Sequence, residues 1–92
     1  MANHKSALKR IRVNKRRRLE NRLHISRSRT EVRHAREAIA SGDLEAARRA
    51  TLIAIRVLDK AVRSGALHRN NAARRKSRLM ARLNALEAAQ KA

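Results

Sequence analysis

The sequence predicts an all-α protein, a three-helix bundle with a long, overhanging N-terminal helix. Proline is absent and glycine occurs only at Gly42 and Gly65, so two breakers divide the 92 residues into three segments. Most of the other residues are Ala, Arg, Leu, Glu or Lys, which favour helices. Glycine can adopt the left-handed conformation that ends a helix. We therefore expect three helices joined by two short turns, in one domain over residues 1–92.

The first segment is predicted to form one helix over residues 5–40, about 54 Å long at 1.5 Å per residue. Only its second half has an apolar face, where small and apolar residues recur at spacings of three and four. The residues on that face are Ile25, Ser28, Val32, Ala35 and Ile39. We therefore divide the chain into a basic helical extension over residues 1–24 and a three-helix bundle over residues 25–92.

The extension is expected to have no partner helix over some 20 Å, because the second helix is predicted to be only about 32 Å long. It also sets like charges one turn apart, as in Arg12 with Arg16 and Arg18 with Arg22. Such pairs oppose helix formation in water. We expect this overhang to fray in the free protein and to become ordered on a polyanion.

The middle segment has the widest apolar face, so we expect it to be the most buried helix. Asp43 is placed to cap its start, since an Asp side chain accepts hydrogen bonds from the first free N–H groups. The residues of the apolar face are Leu44, Ala47, Thr51, Ala54, Ile55, Leu58, Ala61 and Val62, widened by Ile53 and Val57.

The third segment has a narrower apolar face with a basic band beside it. Lys76 interrupts that face, and we expect its stem to pack while its ammonium reaches outward. A basic band beside an apolar stripe is typical of a helix that packs on one side and meets phosphate on the other. The apolar face comprises Ala72, Leu79, Leu83 and Leu86, and the band comprises Arg74, Arg75, Arg78 and Arg82.

Charge indicates the class of partner. The chain has 25 Lys and Arg against 7 Asp and Glu, a net charge of +18. Residues 1–36 carry 13 basic and 2 acidic residues, residues 37–65 carry 5 and 4, and residues 66–92 carry 7 and 1. Nineteen of the basic residues are Arg, which grips phosphate with two donors. With no aromatic residue to stack on bases, we expect recognition of folded nucleic acid by phosphate geometry and shape.

Other classes find little support. Cysteine is absent, and the four histidines show neither metal-ligand spacing nor a neighbouring acidic cluster. No phosphate-binding glycine loop or catalytic set is present, so we predict no enzyme, no metal and no cofactor. No apolar run reaches the roughly 18 residues of a membrane span, and the N-terminus lacks the apolar stretch of a signal peptide. We expect a cytoplasmic protein.

Four blocks, in order, resemble one known family. They are MANHKSALKR at 1–10, SRSRT at 26–30, ASGDLEAA at 40–47 and GALHRNNAARRKSRL at 65–79. Together they span most of the chain, both turns included, and resemble the family of bacterial small-subunit ribosomal protein twenty. The resemblance implies a monomer within the ribosome that binds the 5′ domain of small-subunit rRNA, reaches toward the penultimate helix near the 3′ end, and supports assembly alongside other components of the subunit.

The basic segments and the resemblance together predict fifteen rRNA-binding residues. The first set is Lys5, Lys9, Arg10, Lys15, Arg16, Arg17, Arg22 and Arg29. The second set is His68, Arg69, Asn70, Arg74, Arg75, Lys76 and Arg78.

Three alternatives stay open. A general DNA-compacting protein has the same charge but no defined site. A cationic membrane-active helix is disfavoured because the apolar faces lack Trp and Phe and Lys76 breaks one of them. For His68, Asn70 and Asn71, capping of the third helix is as good an explanation as RNA contact.

Overall fold

A computed structural model describes residues 2–91, which form three α-helices and no strand. These are α1 (Ala2–Ser41), α2 (Leu44–Arg63) and α3 (Arg69–Lys91). The predicted all-α class is confirmed. The molecule measures 72 × 20 × 12 Å, because α1 is twice as long as α2. The predicted extension starts at Met1 and the predicted bundle ends at Ala92, and both of these residues lie outside the described range.

The first turn reverses the chain between α1 and α2. Gly42 has a φ of +83°, a left-handed conformation that glycine adopts without a steric penalty. Its N–H donates to the carbonyl of Ile39 at 3.2 Å. Asp43 then caps α2 as predicted, since its Oδ1 accepts from the N–H of Ala46 at 3.2 Å. This two-residue turn makes α2 run antiparallel to α1.

The second turn ends α2 with a glycine and begins α3 with a histidine. Gly65 has a φ of +81°, and the N–H groups of Ala66 and Leu67 reach the carbonyl of Ala61 at 3.0 and 3.2 Å. His68 caps α3, because its Nδ1 accepts from the N–H of Asn70 at 3.1 Å. The capping residue of α3 is therefore His68, and neither of the two asparagines that follow it.

The core is small and aliphatic, and all three helices contribute to it. One buried cluster contains Val32 and Ala35 of α1, Ala54 and Leu58 of α2, and Ala72 and Leu79 of α3. Leu58 and Leu79 are among the largest fully buried side chains. The alanines let the helix backbones approach closely, so the bundle closes without aromatic rings.

The predicted apolar faces are confirmed with one exception. Val57 is buried, but Ile53 is 45% exposed. The prediction of Ile53 as a core residue is wrong. The other two helices cover only part of the circumference of α2, and Ile53 lies outside the covered part. The buried residues of the predicted faces are Ser28, Val32, Ala35, Ala47, Thr51, Ala54, Val57, Leu58, Ala61, Ala72, Leu79 and Leu83.

Two ion pairs fasten α3 along α2. Lys76 Nζ lies 2.7 Å from Asp59 Oδ1, and Arg48 Nη2 lies 2.7 Å from Glu87 Oε1. Each pair joins the two helices across their contact. Because all four side chains are partly exposed, each pair stabilises the bundle by about 1 kcal/mol at most.

The N-terminal part of α1 extends beyond the bundle. From His4 to Glu20 every residue is exposed except Val13, which is half-buried. Burial resumes around His24 and Ile25, and Ser28 is the first fully buried residue. We refer to residues 2–20 as the overhang. It is about 30 Å long, more than the 20 Å predicted, because α1 begins earlier and α2 is shorter than the sequence indicated.

Candidate nucleic-acid interface

The overhang presents cations on all sides. Successive helical residues are about 100° apart, so Lys15, Arg16, Arg17 and Arg18 point in four directions around the axis. Its charged residues take part in none of the ion pairs or side-chain hydrogen bonds of the part of the chain that the structure describes. The exposed basic residues of the first predicted set are Lys5, Lys9, Arg10, Lys15, Arg16, Arg17, Arg22 and Arg29.

One side of the overhang mixes charged and neutral donors along a shallow groove. The hydroxyl of Ser6 and the amide of Asn14 lie beside cationic side chains there. Ser and Asn side chains can donate hydrogen bonds to phosphate and ribose oxygens, and such bonds fix the orientation of a bound backbone. The residues lining the groove are Ser6, Lys9, Arg10, Val13, Asn14 and Arg17.

The second predicted set covers the first half of α3. Arg69, Asn70, Arg74 and Arg78 are exposed. Arg75 is half-buried, and its Nε donates to Asn71 Oδ1 at 2.9 Å. This hydrogen bond holds the stem of Arg75 along the helix and leaves its two terminal amino groups as donors.

His68 combines a structural contact with a free donor. Its Nδ1 accepts the capping hydrogen bond from Asn70, which leaves the ring proton on Nε2. The side chain is exposed, so Nε2 can donate outward. Capping and RNA contact are therefore compatible at this residue, and the two explanations left open by the sequence do not exclude each other.

Lys76 is placed differently from its neighbours. Its ammonium contacts Asp59 on α2 at 2.7 Å, while the sequence suggested that it reaches outward. The stem packs against the bundle as expected, but the charge is already paired. A phosphate contact at Lys76, which stays a prediction, requires this ion pair to open or to be shared.

The two predicted sets lie toward the same end of the bundle. Ala72, in the first turn of α3, belongs to the same core cluster as Val32 in the middle of α1. At the other end of the bundle, the side chain of Gln90 donates to the carbonyl of Gly42. The basic half of α3 therefore lies near the point where the overhang leaves the bundle.

Charge on α2 is divided between its faces, which sequence counting did not show. Arg48 and Asp59 are engaged by α3, and Asp43 caps the helix. The remaining cations are exposed on the outward side. They are Arg49, Arg56, Lys60 and Arg63.

Metal and membrane chemistry find no support in the described residues. Over residues 2–91, no three His, Cys, Asp or Glu side chains come together in a way that could hold a metal ion. None of the three helices, over the same range, has an apolar stretch long enough to cross a bilayer.

Comparison with known proteins decides the family. The family model described as ribosomal protein S20 matches residues 2–84. The chain belongs to the ribosomal protein S20 family. Three relatives each carry the name small ribosomal subunit protein bS20. One from Thermomicrobium roseum is 55% identical over 86 residues, covering 94% of this chain and 87% of the relative.

Two further relatives match along their whole length. The protein from Mycobacteroides abscessus is 51% identical over 86 residues, covering 94% of this chain and all of the relative. The protein from Shouchella clausii is 47% identical over 88 residues, covering 96% of this chain and all of the relative. The resemblance seen in the sequence is confirmed, and the ribosomal protein S20 family is a family of ribosomal structural proteins, not enzymes.

The residues matched by the S20 family model include both predicted RNA-binding sets. The family match begins at the start of α1, includes the overhang and the basic half of α3, and stops before the last turns of α3. The overhang is therefore part of the family's shared sequence.

Proposed function

We propose that this chain binds small-subunit rRNA directly and acts as a structural element in assembly of the small ribosomal subunit in the cytoplasm. The observation that carries the proposal is the arrangement of two basic surfaces, the overhang and the first half of α3, on a small bundle. Most of their cations are exposed and unpaired, with Lys76 and Arg75 as the exceptions. No charged side chain is buried among the described residues of the bundle. Membership in the S20 family supports a ribosomal partner over other polyanions.

The mechanism that we propose is electrostatic bridging. Arg side chains on the two surfaces bind phosphates of different rRNA segments and displace condensed counterions. Repulsion between the segments falls, and they can approach each other. The bundle holds the two surfaces at a fixed separation, which a flexible polycation would not do. We propose that the bundle lies on the 5′ domain and that the overhang reaches toward the penultimate helix near the 3′ end.

The proposal is tested by footprinting on small-subunit rRNA at moderate salt with tRNA in excess. The expected result is protection of defined rRNA segments that tRNA does not remove. A variant with Lys15, Arg16 and Arg17 replaced by Gln is expected to lose one group of protections and to lower the salt dependence of log K by about 2 to 3, at roughly 0.7–0.9 per phosphate contact.

A charge-matched control separates site contacts from net charge. Replacement of Arg33, Arg36 and Lys91 by Gln removes three exposed charges outside both predicted sets. This control is expected to keep all protections. Equal losses in the two variants, or equal affinity for rRNA and duplex DNA, would instead favour the general DNA-compacting function.

A further inference from the structure

The outward face of α2 carries an ordered row of cations. Arg49, Arg56 and Arg63 are seven residues apart, which is close to two helical turns, so they lie in line. Lys60 lies between the last two on the same side. All four side chains are exposed, and they take part in no ion pair or side-chain hydrogen bond that the structure describes among residues 2–91. The row extends over about 21 Å of the helix axis.

The small net charge of residues 37–65 conceals this row. The row still has few neighbouring acids, because most acidic side chains of this segment contact other parts of the protein. Asp59 binds Lys76 of α3, and the carboxylate of Asp43 accepts a hydrogen bond from the backbone at the start of α2. Glu45 is the one acid of α2 that shares the outward side, and it stands at the first turn. The outward face therefore has four cations and one carboxylate, although the segment as a whole is almost balanced.

The face points away from the surfaces already described. Ala54, Leu58 and Ala61, which α1 and α3 cover, lie on the opposite side of α2 from the row. A phosphate backbone bound along the row would therefore approach the bundle from a side that neither the overhang nor the basic half of α3 reaches.

We propose that the outward face of α2 is a third RNA-binding surface, which takes the phosphate backbone of a further folded segment of rRNA. The proposal rests on the function proposed above. We infer a phosphate backbone as the occupant from charge complementarity. Aligned guanidinium groups bind phosphates bidentately, and no aromatic side chain is available to anchor a protein. The bundle is then enclosed between RNA segments rather than resting on one of them.

Two exposed aliphatic side chains give the competing outcome. Leu52 and Ile53 flank the row and are 50% and 45% exposed. A protein partner would bury these two residues, whereas a phosphate backbone depends on the cations. The row and its apolar flanks can therefore be removed separately.

The test compares two variants of the full chain, R49Q/R56Q/R63Q and L52S/I53S, for binding to small-subunit rRNA and for incorporation into small subunits. Gln favours helices nearly as well as Arg, and circular dichroism checks that the bundle is retained. The Gln variant is expected to bind about tenfold or more weakly at moderate salt, to lower the salt slope by about 2 to 3, and to expose one rRNA segment while the overhang protections persist. The Ser variant is expected to bind like the wild type.

The outcomes separate this inference from the proposed function. Suppose that the wild type protects rRNA and that R49Q/R56Q/R63Q shows the same salt dependence of log K and the same footprint. This result overturns the third surface and leaves the proposed function intact. Loss of incorporation into subunits by L52S/I53S alone overturns it in favour of a protein partner. If the wild-type chain protects rRNA no better than it protects tRNA, both proposals fail. The variant R33Q/R36Q/K91Q again serves as the charge-matched control.

Discussion

The two halves of α1 show how the same helix serves two purposes. In the bundle half, Val32 is 4% exposed and Ala35 is fully buried, because α2 and α3 cover that face. In the overhang, Leu19 is 59% exposed and Leu8 is 44% exposed. Both halves consist of residues with similar helix propensity. We therefore expect burial against partner helices to keep the bundle half folded in the free protein, and the overhang, which has no such partner, to become ordered on RNA.

Hydrogen exchange on the free protein provides the largest contrast between the overhang and the bundle. Amides of residues 5–20 are expected to exchange almost without protection, because fraying opens them without unfolding the bundle. Amides of residues 54–61 are expected to be protected by a factor of about 10³ or more, set by global unfolding. Adding small-subunit rRNA is expected to slow exchange in the overhang. Equal protection of both regions in the free protein would contradict the division.

Truncating one leucine in the bundle and one in the overhang measures the same contrast as a free energy of unfolding. Leu58→Ala is expected to lower the free energy of unfolding by about 2–5 kcal/mol, since it leaves a cavity in the centre of the core. Leu19→Ala removes the same atoms from an exposed position, and a change within about 0.5 kcal/mol is expected. Urea unfolding followed by circular dichroism measures both. A comparable loss for Leu19→Ala would show that the overhang packs on the bundle.

The capping residue of α2, Asp43, stabilises the bundle and has no contact with the described residues of the overhang. Asp43→Ala removes the acceptor for the Ala46 N–H and is expected to lower the free energy of unfolding by about 1 kcal/mol. Asp43→Asn keeps an acceptor at the same place and is expected to lose less, mainly the attraction of its charge to the helix dipole. Thermal unfolding of the two variants distinguishes them. Exchange rates in the overhang are expected to stay unchanged in both.

An effect of similar size but opposite sign concerns a buried hydroxyl in the core. Thr51 is 1% exposed, and its Oγ1 has no hydrogen-bond partner among the described residues. Thr51→Val keeps the shape and removes the unpaired group, so a gain of about 1 kcal/mol in the free energy of unfolding is expected. Thr30→Val is the control, because that hydroxyl donates to the Ser26 carbonyl at 3.1 Å and its removal should give no gain. Loss of stability in Thr51→Val would indicate a partner for the hydroxyl.

Much of the fold could be predicted because its signals are local. Two glycines with positive φ end the first two helices, and Asp43 caps the second. Periodicity identified the buried faces because a helix repeats its orientation every 3.6 residues. Ile53 was misplaced because periodicity gives the direction of a face but not how much of it the neighbouring helices cover.

Contacts between helices could not be predicted in the same way. The partner of Lys76 is Asp59, seventeen residues earlier on another helix. Finding it requires the rotation and register of α3 against α2, which no single helix specifies. For the same reason, the counts for residues 37–65 concealed the outward cations of α2. A helical projection that marked acids on the α3-facing side would have indicated them. The exposed cations of the overhang were predictable, since nothing covers them.

The continuity of α1 gives the overhang a mechanical property. Glycine and proline are absent between Ala2 and Ser41, so an ordered α1 has no hinge where it leaves the bundle. When the bundle is bound to RNA as proposed, an ordered overhang moves with it as a rigid arm. Over an arm of about 30 Å, a 10° tilt of the bundle displaces the tip by roughly 5 Å. The orientation of the bundle therefore sets the position of the N-terminal end of α1, and a small change in that orientation produces a large displacement of that end.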